Sequence, residues 1–537
     1  MMRSSRENHK QAPGNDIKMY HMKIFYFGED HLTPHLAFQI ATNKLTCEIG
    51  KRAKANIQES RKNTLDIAHS EHTVYGINTG FGPLCDTRIS KEQIKLLQKN
   101  ILKSHSVGVG PIVPDLIAKL MLITKVHALS MGYSGISLEV LERIVFFIQY
   151  EIIPEVPSQG SVGASGDLAP LAHLFLPIMG LGKVKVEGKI MSAAKMHNLH
   201  HLDPLPLGAK EGLALINGTQ FILSYAVLGL SRLYNCLEAA DIIGAMSLEG
   251  LLGSISPFTK ELHELRPFEG SQLVAARMNT LLSGSEMVAS HENCDRVQDP
   301  YSLRCIPQVH GASRNAWSHL NELVITELNS VTDNPIILNA QTSISGGNFH
   351  GQLLAMPLDY AGLAAAEIGN ISDRRTYLLL EGKTAGLPRL LMKNTGINSG
   401  FMIPQYTSAA LASENKGLCW PASADSIPTS LGQEDHVSMG SISGRKLNTI
   451  IDNLEHILAI ELICAAQAFD YHKPLKSGLI LDHCHELIRT KINHAEEDRI
   501  FSEDIKLAHE LISSGALVKK ANDTAQAHHI DLGSTVG

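Results

Sequence analysis

A run of small residues, Gln159-Gly160-Ser161-Val162-Gly163-Ala164-Ser165-Gly166-Asp167-Leu168-Ala169-Pro170-Leu171, is the densest candidate for chemistry in the chain. Glycines there free the backbone for tight turns and close approaches. Asp167 is a cap candidate and Pro170 falls in a first turn, so a helix is expected to start directly behind the loop. Such a loop can cradle a phosphate, but this one lacks the lysine of a P-loop and the glycine spacing of a dinucleotide fingerprint. Composition alone equally allows a tight loop with no chemistry.

Other stretches set polar or aromatic groups in unusual surroundings. Tyr75 leads Gly76, Gly80 and Gly82, a loop able to move over a site; an ordinary half-exposed loop tyrosine fits the same residues. Asn217 and Gly218 interrupt a good helical pattern at a cost in propensity, and a buried asparagine needs hydrogen-bond partners. Arg304 offers a planar fork suited to gripping a carboxylate with two bonds, or to a structural salt bridge. Phe349 follows Gly346-Gly347-Asn348, and a lone phenylalanine is ordinarily core. Three histidine clusters, His69-Ser70-Glu71-His72, His197-Asn198-Leu199-His200-His201 and Asp482-His483-Cys484-His485, lack a second half at ligand spacing. They read as solvated surface histidines, and no metal is expected.

The elements that must hold these residues are mostly helices. Leu447, Ile450, Ile451, Leu454, Ile457 and Leu458 follow the 3, 4, 7 spacing of one helical face, a pattern that runs to about Phe469 and stops before Pro474. Residues 356–380 are similar but richer in alanine, as befits a helix packed closely on all sides. The apolar stretch 212–233 contains Asn217, Thr219, Gln220 and Ser224, which a membrane would penalise, so one buried helix is expected there. Lys183 to Val186 followed by Gly188 suggests a small hairpin. Gly/Pro-rich loops at 75–83, 107–114, 154–170 and 203–208 break up the first part of the chain. The expectation is a mainly α fold in three parts: a disordered polar extension (1–22), a loop-rich N-terminal lobe carrying the glycine loop (23–215), and a long-helix bundle (216–537). Long, alanine-rich, all-round apolar helices also point to burial against partner helices in an oligomer.

Composition narrows the partners. A formal charge of −7 with no basic block argues against nucleic acid or an anionic membrane surface. Eight cysteines without a Cys-x-x-Cys pair, and an opening stretch lacking the apolar run of a signal peptide, suggest reduced thiols and a cytoplasmic protein.

Gly163-Ala164-Ser165-Gly166-Asp167-Leu168 resembles the signature of the histidine and aromatic amino acid ammonia-lyases. The likeness runs from about residue 32 to residue 518. It includes Tyr75-Gly76-Ile77-Asn78-Thr79-Gly80-Phe81-Gly82, Lys210-Glu211-Gly212-Leu213-Ala214-Leu215-Ile216-Asn217-Gly218-Thr219, Gln298-Asp299-Pro300-Tyr301-Ser302-Leu303-Arg304-Cys305, Gly346-Gly347-Asn348-Phe349-His350 and Gln433-Glu434-Asp435-His436-Val437-Ser438-Met439. The resemblance implies that Ala164-Ser165-Gly166 cyclises on itself to 4-methylidene-imidazol-5-one (MIO), with no external cofactor. The residue types make sense for that: glycine permits the strained approach of the Gly166 nitrogen to the Ala164 carbonyl, Ser165 supplies the hydroxyl that leaves, and Ala164 adds no bulk. It also implies roles: Tyr75 as base, Tyr301 as an active-site hydroxyl, Asn217 beside ring and substrate, Gln298 as a substrate-side amide, Arg304 on the substrate carboxylate and Phe349 near the ring. A homotetramer with active sites shared between subunits is implied as well.

The substrate is read from Ser104-His105 and Glu434. Phenylalanine-specific members of the family tend to carry Phe-Leu at the first pair and many tyrosine-specific ones His-Leu, while some bacterial tyrosine lyases share Ser-His. Glu434 matches the histidine-specific pattern. Imidazole has a donor and an acceptor nitrogen, and His105 with Glu434 can satisfy both, whereas a phenyl ring would leave them unpaired. The resemblance therefore implies deamination of L-histidine to trans-urocanate and ammonia, the first step of histidine degradation. The alternatives are a tyrosine or phenylalanine lyase, a related aminomutase, or an inactive helical scaffold.

Overall fold

The spacing around Leu447 forms the inner face of a 32-residue helix, Gly440–Tyr471. All six apolar residues of the pattern are at most 1% exposed. From 459 to 469 every side chain is buried, so the helix passes from a half-covered to an enclosed environment. It ends short of Pro474, as a residue without a backbone N–H requires. The alanine-rich segment forms Gln352–Leu380, in which Ala361, Ala364, Ala365 and Ala366 are buried. These two helices pack with Gln220–Gly250 and Ile306–Leu328 into a bundle, with Met402–Leu418 against its side.

The computed structural model describes residues 24–70, 73–80, 82, 89–90, 93–291 and 296–533. The polar extension 1–22, Glu71, His72, Cys85 and Cys294 lie outside them. The six described cysteines form no disulfide. Among the described residues no helix is long and apolar enough to cross a membrane, and no group of three His, Cys, Asp or Glu residues is placed to hold a metal.

Ahead of the bundle the chain forms shorter helices and small sheets. Ile24–Phe27 pairs in parallel with Thr46–Ile49. Lys183–Val186 and Lys189–Ser192 make the expected hairpin, turning through Glu187 and Gly188 at φ 48 and 76°. Two stretches that read as loops pair with each other, Val109–Ile112 running antiparallel to Pro157–Gln159. The main core is continuous from Phe25 to Leu532 and crosses the expected boundary at residue 215.

Two expectations need correction. The stretch 212–233 is not one helix: Glu211–Ile216 ends at Asn217, and Gln220–Gly250 begins after Thr219. Gly218 sits at φ +107°, which no helix accommodates, and side-chain partners hold the break open. His197 and His485, expected in solvent, are 2% and 8% exposed. His485 stacks on Phe469 at 5.4 Å and lies 3.3 Å from Asp470, because it falls on the inner face of Leu479–Arg489.

The bundle is pinned by charges as well as by apolar packing. Asp241 accepts from His310 Nδ1 and Arg277 Nε at 2.8 Å each and from Arg314 at 2.5 Å. Arg277 and Arg314 also reach Glu238 at 2.8 Å, and Arg375 binds Glu461 with both Nε and Nη2. Burial alone would raise the Asp241 carboxyl, but Arg314, His310 and Arg277 outweigh it and hold it well below the usual carboxylate range. His310 and Arg314 lie on Ile306–Leu328, which follows directly on the short helix Tyr301–Arg304, so this network fixes the base on which Tyr301 and Arg304 stand. Asp241→Ala leaves Arg277, Arg314 and His310 buried without their shared acceptor. It should cost about 3–5 kcal/mol, read as a lowered urea midpoint; an unchanged midpoint would contradict this role.

Candidate functional site

The glycine loop is compressed between two segments distant in sequence. On one side, Gly218 N–H donates to the Ser165 carbonyl at 3.1 Å and Asp167 N–H donates to the Gly218 carbonyl at 2.8 Å. A Cβ on Gly166 would lie 2.1 Å from the Gly218 oxygen, so no other residue fits at that position. On the other side, Met439 N–H donates to the Val162 carbonyl at 3.1 Å, Ser441 Oγ donates to the Ser161 carbonyl at 2.7 Å, and a Cβ on Gly163 would meet Ser438 Oγ at 2.3 Å. Between these walls the tripeptide folds tightly: Gly166 N–H points back to the Gly163 carbonyl at 3.4 Å, and Ser165 takes φ 49°. A non-glycine residue in the left-handed region stores strain that the surroundings must hold in place.

Asp167 caps a helix other than the one it introduces. Its side chain makes no cap to Leu168–Phe175; Oδ2 instead accepts from Phe221 and Ile222 N–H at 3.1 and 3.0 Å, at the start of Gln220–Gly250. Oδ1 accepts from Ser161 Oγ at 3.1 Å. Burial pushes this carboxyl up to about 7 against those hydrogen bonds.

Asn217 stands at the helix break. Its Nδ2 donates to Asp333 Oδ1 at 3.2 Å and to the Asn334 carbonyl at 2.7 Å, and Asp333 pairs with Lys210 at 2.5 Å. Asn217 Oδ1 is buried with no hydrogen-bond partner among the described residues. Lys125, fully buried on Asp115–Ser130, donates to the Asn217 carbonyl and reaches Gln220 Oε1 at 3.5 Å. Burial pushes its ammonium down to about 7.

A cavity of about 550 Å³ opens onto Ser165 and is lined also by Tyr75, His105, Asn217 and Glu434, with Leu168, Ile101 and Leu213 among its apolar wall. His105 ends the helix Ile94–His105, and the ladder between 109–112 and 157–159 holds that end beside the glycine loop. Ser104 Oγ lies 3.0 Å from His105 Nδ1. Burial lowers the His105 pKa from its ordinary value, partly opposed by a backbone hydrogen bond to Ile101 and by the Glu434 charge. Glu434 Oε2 is buried without a hydrogen-bond partner among the described residues. The Tyr75 hydroxyl accepts from Gly82 N–H at 3.2 Å, and its turn is tied by Gly76 N–H to Thr79 Oγ1 and Val74 N–H to Asn78 Oδ1. The cavity thus combines a strained tripeptide, two unsatisfied oxygens, a phenol and an imidazole.

The remaining sequence candidates lie elsewhere in the chain. Arg304 and Gln298 line a different cavity of about 320 Å³, where Arg304 Nε donates to the Asp299 carbonyl at 3.0 Å. The guanidinium stands 4.5 Å above the ring of Tyr301, which is 71% exposed on a third, open groove. Phe349 is half-buried ahead of Gln352–Leu380 and does not line the Ser165 cavity. Lys125 and the Lys210–Asp333 pair had no assigned role. The signal for Lys125 was a single cation inside the apolar run 120–129.

The family model for aromatic amino acid lyases matches residues 32–490. A histidine ammonia-lyase of Natranaerobius thermophilus is 46% identical over 89% of this chain and 94% of its own length. Among solved structures, the histidine ammonia-lyase of Trypanosoma cruzi superposes with a TM-score of 0.87 at 39% identity, covering 96% of this chain and 98% of that one. The tyrosine aminomutase of Streptomyces globisporus does so with a TM-score of 0.88 at 32% identity, covering 94% and 99%.

The coupling of His105 to Glu434 is measurable. The pH profile of diethyl pyrocarbonate modification of the His105 peptide, followed by mass spectrometry, should have its midpoint below 6.5. Removing the negative charge with Glu434→Gln should move it lower still, because that charge favours the imidazolium. A midpoint above 6.5, or an upward move in the variant, would contradict this electrostatic picture.

Proposed function

Since the chain belongs to the aromatic amino acid lyase family, we infer that it acts as a histidine ammonia-lyase, removing ammonia from L-histidine to leave trans-urocanate. The observation that carries this reading is the gathering of His105 and Glu434 around the cavity that opens on Ser165. An imidazole entering it can donate one ring proton to Glu434 Oε2, which has no hydrogen-bond partner among the described residues, and engage His105 with its other nitrogen. A phenyl ring would leave the buried Glu434 oxygen unsatisfied, which sites reject strongly.

The residues around Ser165 fit a self-formed MIO group: Gly166 tolerates the close approach, and Asn217, whose Oδ1 has no hydrogen-bond partner among the described residues, lines the same cavity. Ring closure joins the Gly166 nitrogen to the Ala164 carbonyl carbon and releases one water, and loss of the Ser165 hydroxyl releases a second. The group supplies an electron-poor carbon that makes the substrate's amine a better leaving group. The chain's own side chains do the rest. Tyr75 Oη takes the β-proton while the C–N bond breaks, and the electron pair becomes the new double bond. Ordinary proton transfer contributes about two to four powers of ten, so the activated amine has to supply the remainder. Asn217 orients the substrate beside the ring.

Arg304, Tyr301 and Gln298 serve a site on a neighbouring subunit. In this reading the chain works as a homotetramer in which Arg304 grips the substrate carboxylate across an interface. Leu353, Met356, Tyr360 and Leu363, exposed along one face of Gln352–Leu380, support it, since such an apolar stripe is normally covered. The six described cysteines, all unpaired, fit action in the cytoplasm.

Incubation with L-histidine should give urocanate absorbance, while L-tyrosine and L-phenylalanine give little product. Coumarate without urocanate would sink the histidine assignment and favour a tyrosine lyase. Ser165→Ala should lose nearly all turnover, and Arg304→Ala should raise KM by about tenfold or more. Co-expressing these two variants should restore part of the activity, because mixed tetramers contain some sites with both wild-type residues. No recovery from assembled mixed tetramers would contradict sites shared between subunits.

A further inference from the structure

Lys125 is buried without the ionic partner that other buried cations of the described residues have, such as Lys210, Arg277, Arg314 and Arg375. Lys210, close by, is neutralised by Asp333. Asp167 is satisfied by two amides and a hydroxyl. Lys125 is fully buried, yet its ammonium contacts only the Asn217 carbonyl and the Gln220 amide oxygen, and no carboxylate among the described residues pairs with it. A buried ammonium held by neutral acceptors costs stability unless what it holds is worth more.

What it holds is the break between Glu211–Ile216 and Gln220–Gly250. Lys125 satisfies the carbonyl at the near side of the break, and Asp167 satisfies the amides at the far side. A donor on the carbonyl that ends one helix and an acceptor on the amides that start the next keep the two from joining through residues 217–219. Gly218, between them, is the residue that bonds Ser165 and Asp167 and leaves no space for a Cβ on Gly166.

We propose that Lys125 is a positioning residue for ring closure at Ala164-Ser165-Gly166, its ammonium fixing the helix break as the rigid strand against which the tripeptide closes. The inference rests on the reading of that tripeptide as a self-cyclising group. Lys125 does not touch substrate; it acts through the Asn217 carbonyl and Gly218. Removing the ammonium lets the strand relax, so the chain folds but closes its ring slowly.

The test is a time course of intact mass after a pulse of synthesis for wild type, Lys125→Met and Lys125→Gln. Circular dichroism and subunit assembly are followed in parallel. Wild type should become two waters lighter. Lys125→Met should fold and assemble normally yet lose those waters about tenfold more slowly, or slower still, as expected when a charge-assisted hydrogen bond is lost. Lys125→Gln, able to donate to the Asn217 carbonyl without a charge, should fall between. Folded Lys125→Met that matures at the wild-type rate would overturn this inference alone. So would failure of both variants to fold, since Lys125 would then serve the whole fold. A wild-type chain that never loses two waters would overturn the self-cyclising group as well.

Discussion

Gly166 and Gly218 approach so closely that the oxygen of one stands where a Cβ of the other would be, 2.1 Å away. Much of the site can be understood as support for that contact. It requires the chain to leave helical geometry at 217–219 in the middle of an otherwise apolar, helix-favouring stretch, and it requires Ser165 in the left-handed region. Both are unfavourable locally. They persist because the surroundings over-determine them. Lys125, Asp167 and the Lys210–Asp333 pair hold the break, while Ser438, Met439 and Ser441 close the loop from behind.

The same arrangement explains how one cavity comes to carry its mixed chemistry. The segment behind the loop also carries Glu434, and the helix that carries His105 ends just ahead of the ladder in front of it. Holding the tripeptide in place therefore brings His105 and Glu434 to the same cavity. The long helices act at a distance. Their buried ionic network fixes Ile306–Leu328, and with it the short helix of Tyr301 and Arg304, on a surface away from the Ser165 cavity of the same chain. The proposed function therefore depends on assembly, because Ser165 and Arg304 stand on different parts of the fold.

Periodicity revealed the long helices well: Gly440–Tyr471 and Gln352–Leu380 follow the spacing of their apolar residues, and the hairpin at 183–192 follows its turn. The pairing of 109–112 with 157–159 was not legible, because each half reads locally as a loop and only long-range packing makes it a strand. The break at 217–219 was visible as an interruption, but its cause was not: the side chains that hold it come from residues 125 and 167. Asp167 is instructive. Its residue type suited a cap, and it is one, for a helix that begins more than fifty residues later. Likewise Tyr75, His105, Ser165, Asn217 and Glu434 belong to separate motifs, and the fold brings them to one cavity while leaving Arg304 and Tyr301 outside it.

The central claim is that this compressed loop closes into a ring against Gly218. A high-resolution crystal structure of enzymatically active protein tests it most directly. Continuous density joining the Gly166 nitrogen to the Ala164 carbonyl carbon, with no hydroxyl on residue 165 and the ring lying against the Gly218 strand, is the result expected. An open Ala164-Ser165-Gly166 chain with an intact serine hydroxyl, in crystals that still turn over histidine, would contradict the account.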